Sequence, residues 1–161
     1  MRSLPTLFTA LLAMGTTTAT AVAADLVPYP VGYRDWAHVK SMVIEPGHPL
    51  FDSFGGLHHL YANEKALQGY RAGRFPDGSV IVFDLLSAVS ADNAVTEGPR
   101  KVLGVMHKDA VRYAATGGWG FEGFVGDSQT ERAVADKAVT ACFGCHEARK
   151  DSDYVFSAWR P

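Results

Sequence analysis

The 161-residue chain is poor in cysteine, has no charge bias and contains no long apolar stretch. Its formal charge of −2 is spread along the sequence, without the basic stripe by which nucleic acid or an anionic surface would be recognised. The longest apolar stretch, Leu4 to Met14, falls short of the ~20 residues that a membrane span needs. It follows Met1-Arg2 and leads through a Thr/Ala run to Ala21-Val22-Ala23, a small-residue cleavage signal. This pattern predicts a secretory signal peptide over residues 1–23. Residues 24–161 then form a single domain, long enough to bury a core of its own. No repeat or low-complexity tract follows the leader. The expectation is an exported globular protein without membrane insertion or a nucleic-acid partner.

Two cysteines exclude a framework of several disulfides. In an exported chain a lone pair usually bonds to itself, but here the two are only three residues apart. The loop they would close is small and strained, although redox enzymes use it. A histidine follows directly, and Cys142-Phe143-Gly144-Cys145-His146 is the spacing that attaches a c-type haem. On a helix both sulfurs lie on one face and the imidazole sits one turn beyond Cys142. The sulfurs then reach two vinyl positions of one porphyrin while the imidazole reaches its iron. The reading is one covalently bound haem c, with Cys142 and Cys145 as anchors and His146 as the iron ligand. Such attachment takes place on the exported side of a bacterial membrane, so the motif and the leader agree on a periplasmic location.

The body of the chain reads as α+β. Tyr33, Trp36, Val39 and Val43 recur at near-helical spacing and predict a short amphipathic segment. Asn63 is a candidate N-cap and Gly73 a left-handed C-terminal cap for a helix through Ala66, Leu67 and Tyr70. Residues 79–86, 101–107 and 119–125 read as strands, with a fourth over 58–61, which predicts an antiparallel sheet. Ile81, Phe83 and Leu85 share one strand face, and Gly104 and Met106 share another. A final helix, capped by Ser128 or Thr130, should run through Ala133 to Ala141 and carry the haem motif.

Only fifteen residues come after His146, and none is a methionine or histidine. A sixth iron ligand would have to come from Met42, Met106, His38, His48, His58, His59 or His107. Met106 alternates with Val102 and reads as core; His48 lies in a Pro/Gly loop. His58 and His59 point to opposite faces of any strand and suit a capping or surface role, and His107 looks like a strand end. Five-coordinate iron, open to NO and CO, is the plainer expectation, with the polarity of the distal face deciding the fate of a bound gas. On the proximal side Arg149 or Lys150 would reach a haem propionate or lie near the ligand face, with Arg149 favoured. The alternative is a cation at a helix C-terminus. Trp159 reads as packing.

Tyr33-Arg34-Asp35-Trp36, Tyr70 to Phe75, Asp77-Gly78-Ser79-Val80-Ile81-Val82 and the late Cys142 to His146 followed by Asp153-Tyr154-Val155-Phe156 carry a likeness to a known group. The chain resembles the cytochrome P-460 / cytochrome c′-beta superfamily over nearly all of its mature length. The resemblance implies two functional kinds, separated at one position. In the P-460 enzymes, which oxidise hydroxylamine, a lysine on the strand after the Asp-Gly turn is linked to the haem edge. Alignment places that lysine at or beside Phe83, between Val82 and Asp84. The resemblance therefore points to the c′-beta kind, which binds gases beneath an aromatic cap, here Phe83 with Phe54 and less readily Phe51. The function expected is non-catalytic NO binding, with dimerisation common in the group and a redox partner unnamed. One alternative is hydroxylamine oxidation with Lys65, Lys101 or Lys108 making the haem link, residues that otherwise read as solvated surface charge. The other is a six-coordinate electron-transfer cytochrome.

Overall fold

Antiparallel pairing in chain order builds one five-stranded meander, as seen in a computed structural model whose described residues are 26–161. The predicted leader lies outside them. The strands are β1 (Ala37–Ile44), β2 (Gly56–Ala62), β3 (Val80–Ala91), β4 (Ala94–Lys108) and β5 (Trp119–Val125). Two short helices connect them: α1 (Phe51–Phe54) between β1 and β2, and α2 (Glu64–Ala72) between β2 and β3. Helical turns over 135–152 close the chain, so the α+β architecture with a late helical segment is the one observed. Among the described residues no helix is long and apolar enough to cross a membrane.

The α2 signals act as expected. The Asn63 side chain accepts the Ala66 N–H at 2.9 Å, and Gly73 ends the helix at φ 74°. Asn63 also accepts the Val80 N–H at 3.0 Å and donates to the Gly78 carbonyl at 2.9 Å. One cap thus fixes both the start of α2 and its approach to β3.

The short amphipathic segment expected from the near-helical spacing of Tyr33, Trp36, Val39 and Val43 is corrected to a turn and a strand. Tyr33–Asp35 is a single 3-10 turn, and β1 comes next. A bulge between His38 and Lys40 shifts the pairing with β2, so the buried positions are Val39 and Ile44. This interruption of a two-residue period is what imitates helical spacing in the sequence. The middle strands also run further than read. Asp92 and Asn93, at φ 51° and 61°, form a two-residue turn that extends β3 and β4 into a long hairpin.

The last helix starts later than Ser128 or Thr130. The Ser128 hydroxyl does accept the Glu131 N–H at 2.8 Å, but Arg132 then pairs with Phe124 and the Ala133 N–H bonds Gly123. These residues extend the sheet edge rather than wind. The helical turns open with the 3-10 stretch Ala135–Lys137, whose first residue stands at φ 49°, and there the buried Glu122 carboxylate accepts the N–H groups of Val134 and Ala135. Burial alone would raise the Glu122 carboxyl. The Arg132 guanidinium at 2.7 Å and three backbone N–H donors outweigh it and hold the group below its ordinary value.

Alternation divides the sheet into two apolar faces, each packed against other elements over part of its area. Leu60, Ala62, Ile81, Trp119 and Phe121 pack with α2 residues Ala66 and Leu67 on one face. Val82, Leu103, Val105 and Phe124 pack beneath Val27, Tyr33 and Tyr113 on the other. On that second face Asp84 is fully buried, and its carboxylate takes hydrogen bonds from Tyr33, Arg34 and Arg100.

Candidate functional site

The helical run brings Cys142, Phe143 and His146 to the first of these faces. Cys142 lies in a π-helical stretch, Val139–Phe143, and Cys145 and His146 in the turn Gly144–His146. Cys142 and Phe143 pack against the Phe121 cluster, as do Phe83 and Met106 from the sheet. Both thiols are free. Burial, with Glu122 adding to it, pushes the Cys142 thiol up, so it is neutral at physiological pH.

His146 is steered rather than merely present. Its Nδ1 donates to the Tyr154 carbonyl at 2.7 Å, which leaves Nε2 as the unprotonated nitrogen. The ring lies 4.9 Å from that of Phe121 and edge-on to Phe156 at 5.0 Å. Burial lowers its pKa, with the Tyr154 hydrogen bond opposing, and keeps the imidazole neutral as a metal ligand must be. Arg149 stacks over Phe156 at 4.9 Å, one ring removed from His146. Lys150 lines a cavity of about 350 Å³ with Arg74 and Lys108. Trp159 packs against the main cluster beneath Arg71, in keeping with its reading as packing.

The aromatic pair named from the sequence is brought together. Phe54 and Phe83 meet edge to face at 5.9 Å and 88°. Phe83 stands in a row with Leu60, Gly104 and Gly123 across four strands, and a Cβ at Gly104 would lie 3.3 Å from its ring. Phe51 sits over Gly55 instead. Gly56 holds the loop: it adopts φ 132°, and a Cβ there would fall 2.2 Å from the Leu86 carbonyl.

The ligand candidates separate by face. His38 and His59, linked through Ser41, lie on the opposite face, and His107 packs there near Tyr113. His48 accepts the Leu50 N–H in its loop, and Met42 is exposed on β1. Met106 and His58 share the Phe83 face. His58 is fully buried 4.6 Å from the Phe83 ring, its Nε2 hydrogen-bonded to the Phe54 carbonyl at 2.5 Å and its Nδ1 without a partner. It pins the Phe54 loop to the sheet, a role that adjacency to His59 did not announce.

Burial lowers the pKa of both His58 and His107 from 6.5. The unfolded chain therefore takes up protons first as pH falls. Stability should be full above pH 6.5 and drop as pH falls from there through the lower folded-state values. Thermal midpoints at neutral and mildly acidic pH measure this, and a His58→Gln/His107→Gln variant should lose most of the slope. An unchanged slope would assign the acid sensitivity elsewhere.

Of the three lysines considered for a haem link, Lys65 is at the surface, bonded to the Asp77 carbonyl, and Lys101 donates to the Gly55 carbonyl. Lys108 corrects the surface reading. It is buried, 2.7 Å from Asp153, with its ammonium 5.0 Å above the Trp119 ring.

Sequence reasoning missed the turn that faces His146. Asp153 and Tyr154 are successive non-glycine residues at φ 51° and 65°, a conformation costing roughly 1–2 kcal/mol per residue. The Phe75 N–H (2.8 Å) and Lys108 (2.7 Å) reach the Asp153 carboxylate, and the Trp119 indole N–H reaches its carbonyl at 2.8 Å. Left-handed backbone at aspartate and tyrosine leaves no pattern in a sequence.

A neutral, carbonyl-steered imidazole beside two free thiols on a helical turn, above a partly exposed apolar sheet face, fits the donor set and the flat apolar body of a haem. The class that this donor set fits is a haem protein. Residues 30–157 match the model of the family Cytochrome P460, and the chain belongs to that family of haem cytochromes. No curated protein matches the sequence.

Proposed function

We propose that this chain is a periplasmic c-type cytochrome of the c′-beta kind, exported by a cleaved leader over residues 1–23, that binds NO and also CO. Cys142 and Cys145 would anchor the haem covalently and His146 would hold its iron, with Arg149 beside the proximal rings. When bound, the haem supplies an iron with an open position for a diatomic gas. Phe83 and Phe54 exclude water from that position, and NO suits it because it binds iron without a hydrogen-bond donor. The observation that carries this reading is the Phe54–Phe83 pair: where the hydroxylamine-oxidising kind has its lysine, an aromatic ring packs edge to face against another. The one imidazole near the pair commits its Nε2 to the Phe54 carbonyl and donates nothing further. The tasks that suit this site are gas carriage or NO defence, with slow electron exchange to a redox partner and assembly as a homodimer.

Met106 supports a second reading, since it lies on the Phe83 face and a thioether can close an iron site. One measurement separates the two. The reduced protein should show high-spin iron that takes up CO readily, and Phe83→Ala should speed CO and NO binding by an order of magnitude or more, as about 1.4 kcal/mol off a barrier does. Low-spin iron that resists CO would assign the site to Met106 and electron transfer. Unchanged gas kinetics in Phe83→Ala would remove Phe83 from the cap.

A further inference from the structure

We infer that Lys108 and Asp153 are positioning residues for the axial imidazole, acting through the Tyr154 carbonyl. This deepens the reading of His146 as the iron ligand and rests on it. A ligating histidine is held in orientation and made more basic by the hydrogen bond of its second nitrogen. Here that acceptor is a backbone carbonyl on a turn the chain would not adopt unaided, because a bulky residue such as Tyr154 is a true outlier at positive φ. The Asp153 and Tyr154 N–H groups bond the Lys150 and Arg149 carbonyls locally at 3.1 and 2.8 Å, and three elements far from the haem motif add to that hold. The loop after α2 contributes the Phe75 N–H, the end of β4 contributes Lys108, and the start of β5 contributes the Trp119 indole. Lys108 also donates to the Gly117 carbonyl at 3.1 Å. Gly117 itself, at φ 66°, gives room to the Tyr154 ring, which a Cβ would approach to 2.3 Å.

The consequence is a route from the sheet to the imidazole that does not pass through Cys142, Cys145 or the residues between them. The ion pair fixes Asp153, Asp153 fixes the backbone of Tyr154, and the Tyr154 carbonyl fixes Nδ1 of His146 at 2.7 Å. Strained backbone held by surrounding bonds at a functional site is a recurrent way of setting such geometry in advance.

The test uses the full-length, haem-loaded protein carrying Lys108→Met, Asp153→Asn, or both. The double variant leaves no unpaired buried charge and guards against loss of folding. The iron–histidine stretching band of the reduced protein should move to lower frequency and broaden in all three. Loss of the axial histidine under NO should become severalfold faster. Arg74→Ala removes an exposed cation from the cavity beside Lys108 and should leave the band in place. If the band stays fixed while the two single variants move the reduction potential in opposite directions, the pair acts only as charge and the inference is overturned. A band shift in Arg74→Ala equal to that in Lys108→Met overturns it also. If His146→Gly retains the wild-type band, the axial assignment itself fails, and the positioning role fails with it.

Discussion

Replacing Asp84 with alanine will cost the folded protein about 3–5 kcal/mol, the usual consequence of removing one partner from a buried charge cluster. Asp84 is fully buried, and its two oxygens receive Arg100 at 2.6 Å, the Tyr33 hydroxyl at 2.6 Å and Arg34 at 3.1 Å. Burial, together with the hydrogen bond to Asp84, raises the Tyr33 pKa to about 12, so its hydroxyl is a donor throughout the working range. Without the carboxylate, the Arg100 guanidinium, whose side chain is 13 % exposed, loses its principal counter-charge. Denaturant midpoints of the haem-loaded protein, with an unchanged slope, measure the loss. Asp84→Leu combined with Arg100→Met should recover much of it, since desolvation offsets most of what a buried pair gains. A loss below about 1 kcal/mol in Asp84→Ala would show that the cluster behaves like an exposed ion pair. The effect should also reach the proposed gas site. Phe83 precedes Asp84 on β3, and a strand loosened on one face no longer holds the ring presented by the other.

The alternation of β3 was readable because both of its faces are apolar in period two, and so Phe83 could be set opposite Val82 and Asp84 before any fold was known. The α2 boundaries were readable because Asn63 and Gly73 use local chemistry alone. The placing of Cys142 and His146 on one helical run was readable because their spacing follows the helical repeat. The features that stayed hidden depend on pairing across the chain. β1 was disguised by its bulge, and the 131–134 segment, rich in helix formers, is captured by the edge of β5 through Arg132 and Glu122. Lys108 read as surface charge because nothing near it in sequence marks Asp153, 45 residues away, as its partner. His58 read as a cap or surface residue because its carbonyl acceptor is set by the α1 loop.

Truncating Trp119 to alanine should cost about 3–5 kcal/mol, the range for removing a large buried aromatic. Trp119 is fully buried, 5.4 Å from the Phe75 ring and beneath the Lys108 ammonium. Its indole N–H also holds the Asp153 carbonyl, so one side chain serves the main core and the turn that faces His146. Trp119→Phe separates the two contributions. It keeps most of the apolar volume and deletes the donor, and should cost about 1–3 kcal/mol, the penalty of a buried acceptor left unmade. Thermal or denaturant unfolding supplies both numbers on the haem-loaded protein. A Trp119→Phe cost within a few tenths of a kcal/mol of zero, the size of an ordinary surface change, would mean that the indole N–H does not restrain the turn. The left-handed backbone at Asp153 and Tyr154 would then rest on the Phe75 and Lys108 bonds together with the local bonds from the Asp153 and Tyr154 N–H groups to the Lys150 and Arg149 carbonyls. A cost equal to that of Trp119→Ala would mean that the hydrogen bond, rather than the packed ring, ties β5 to the end of the chain.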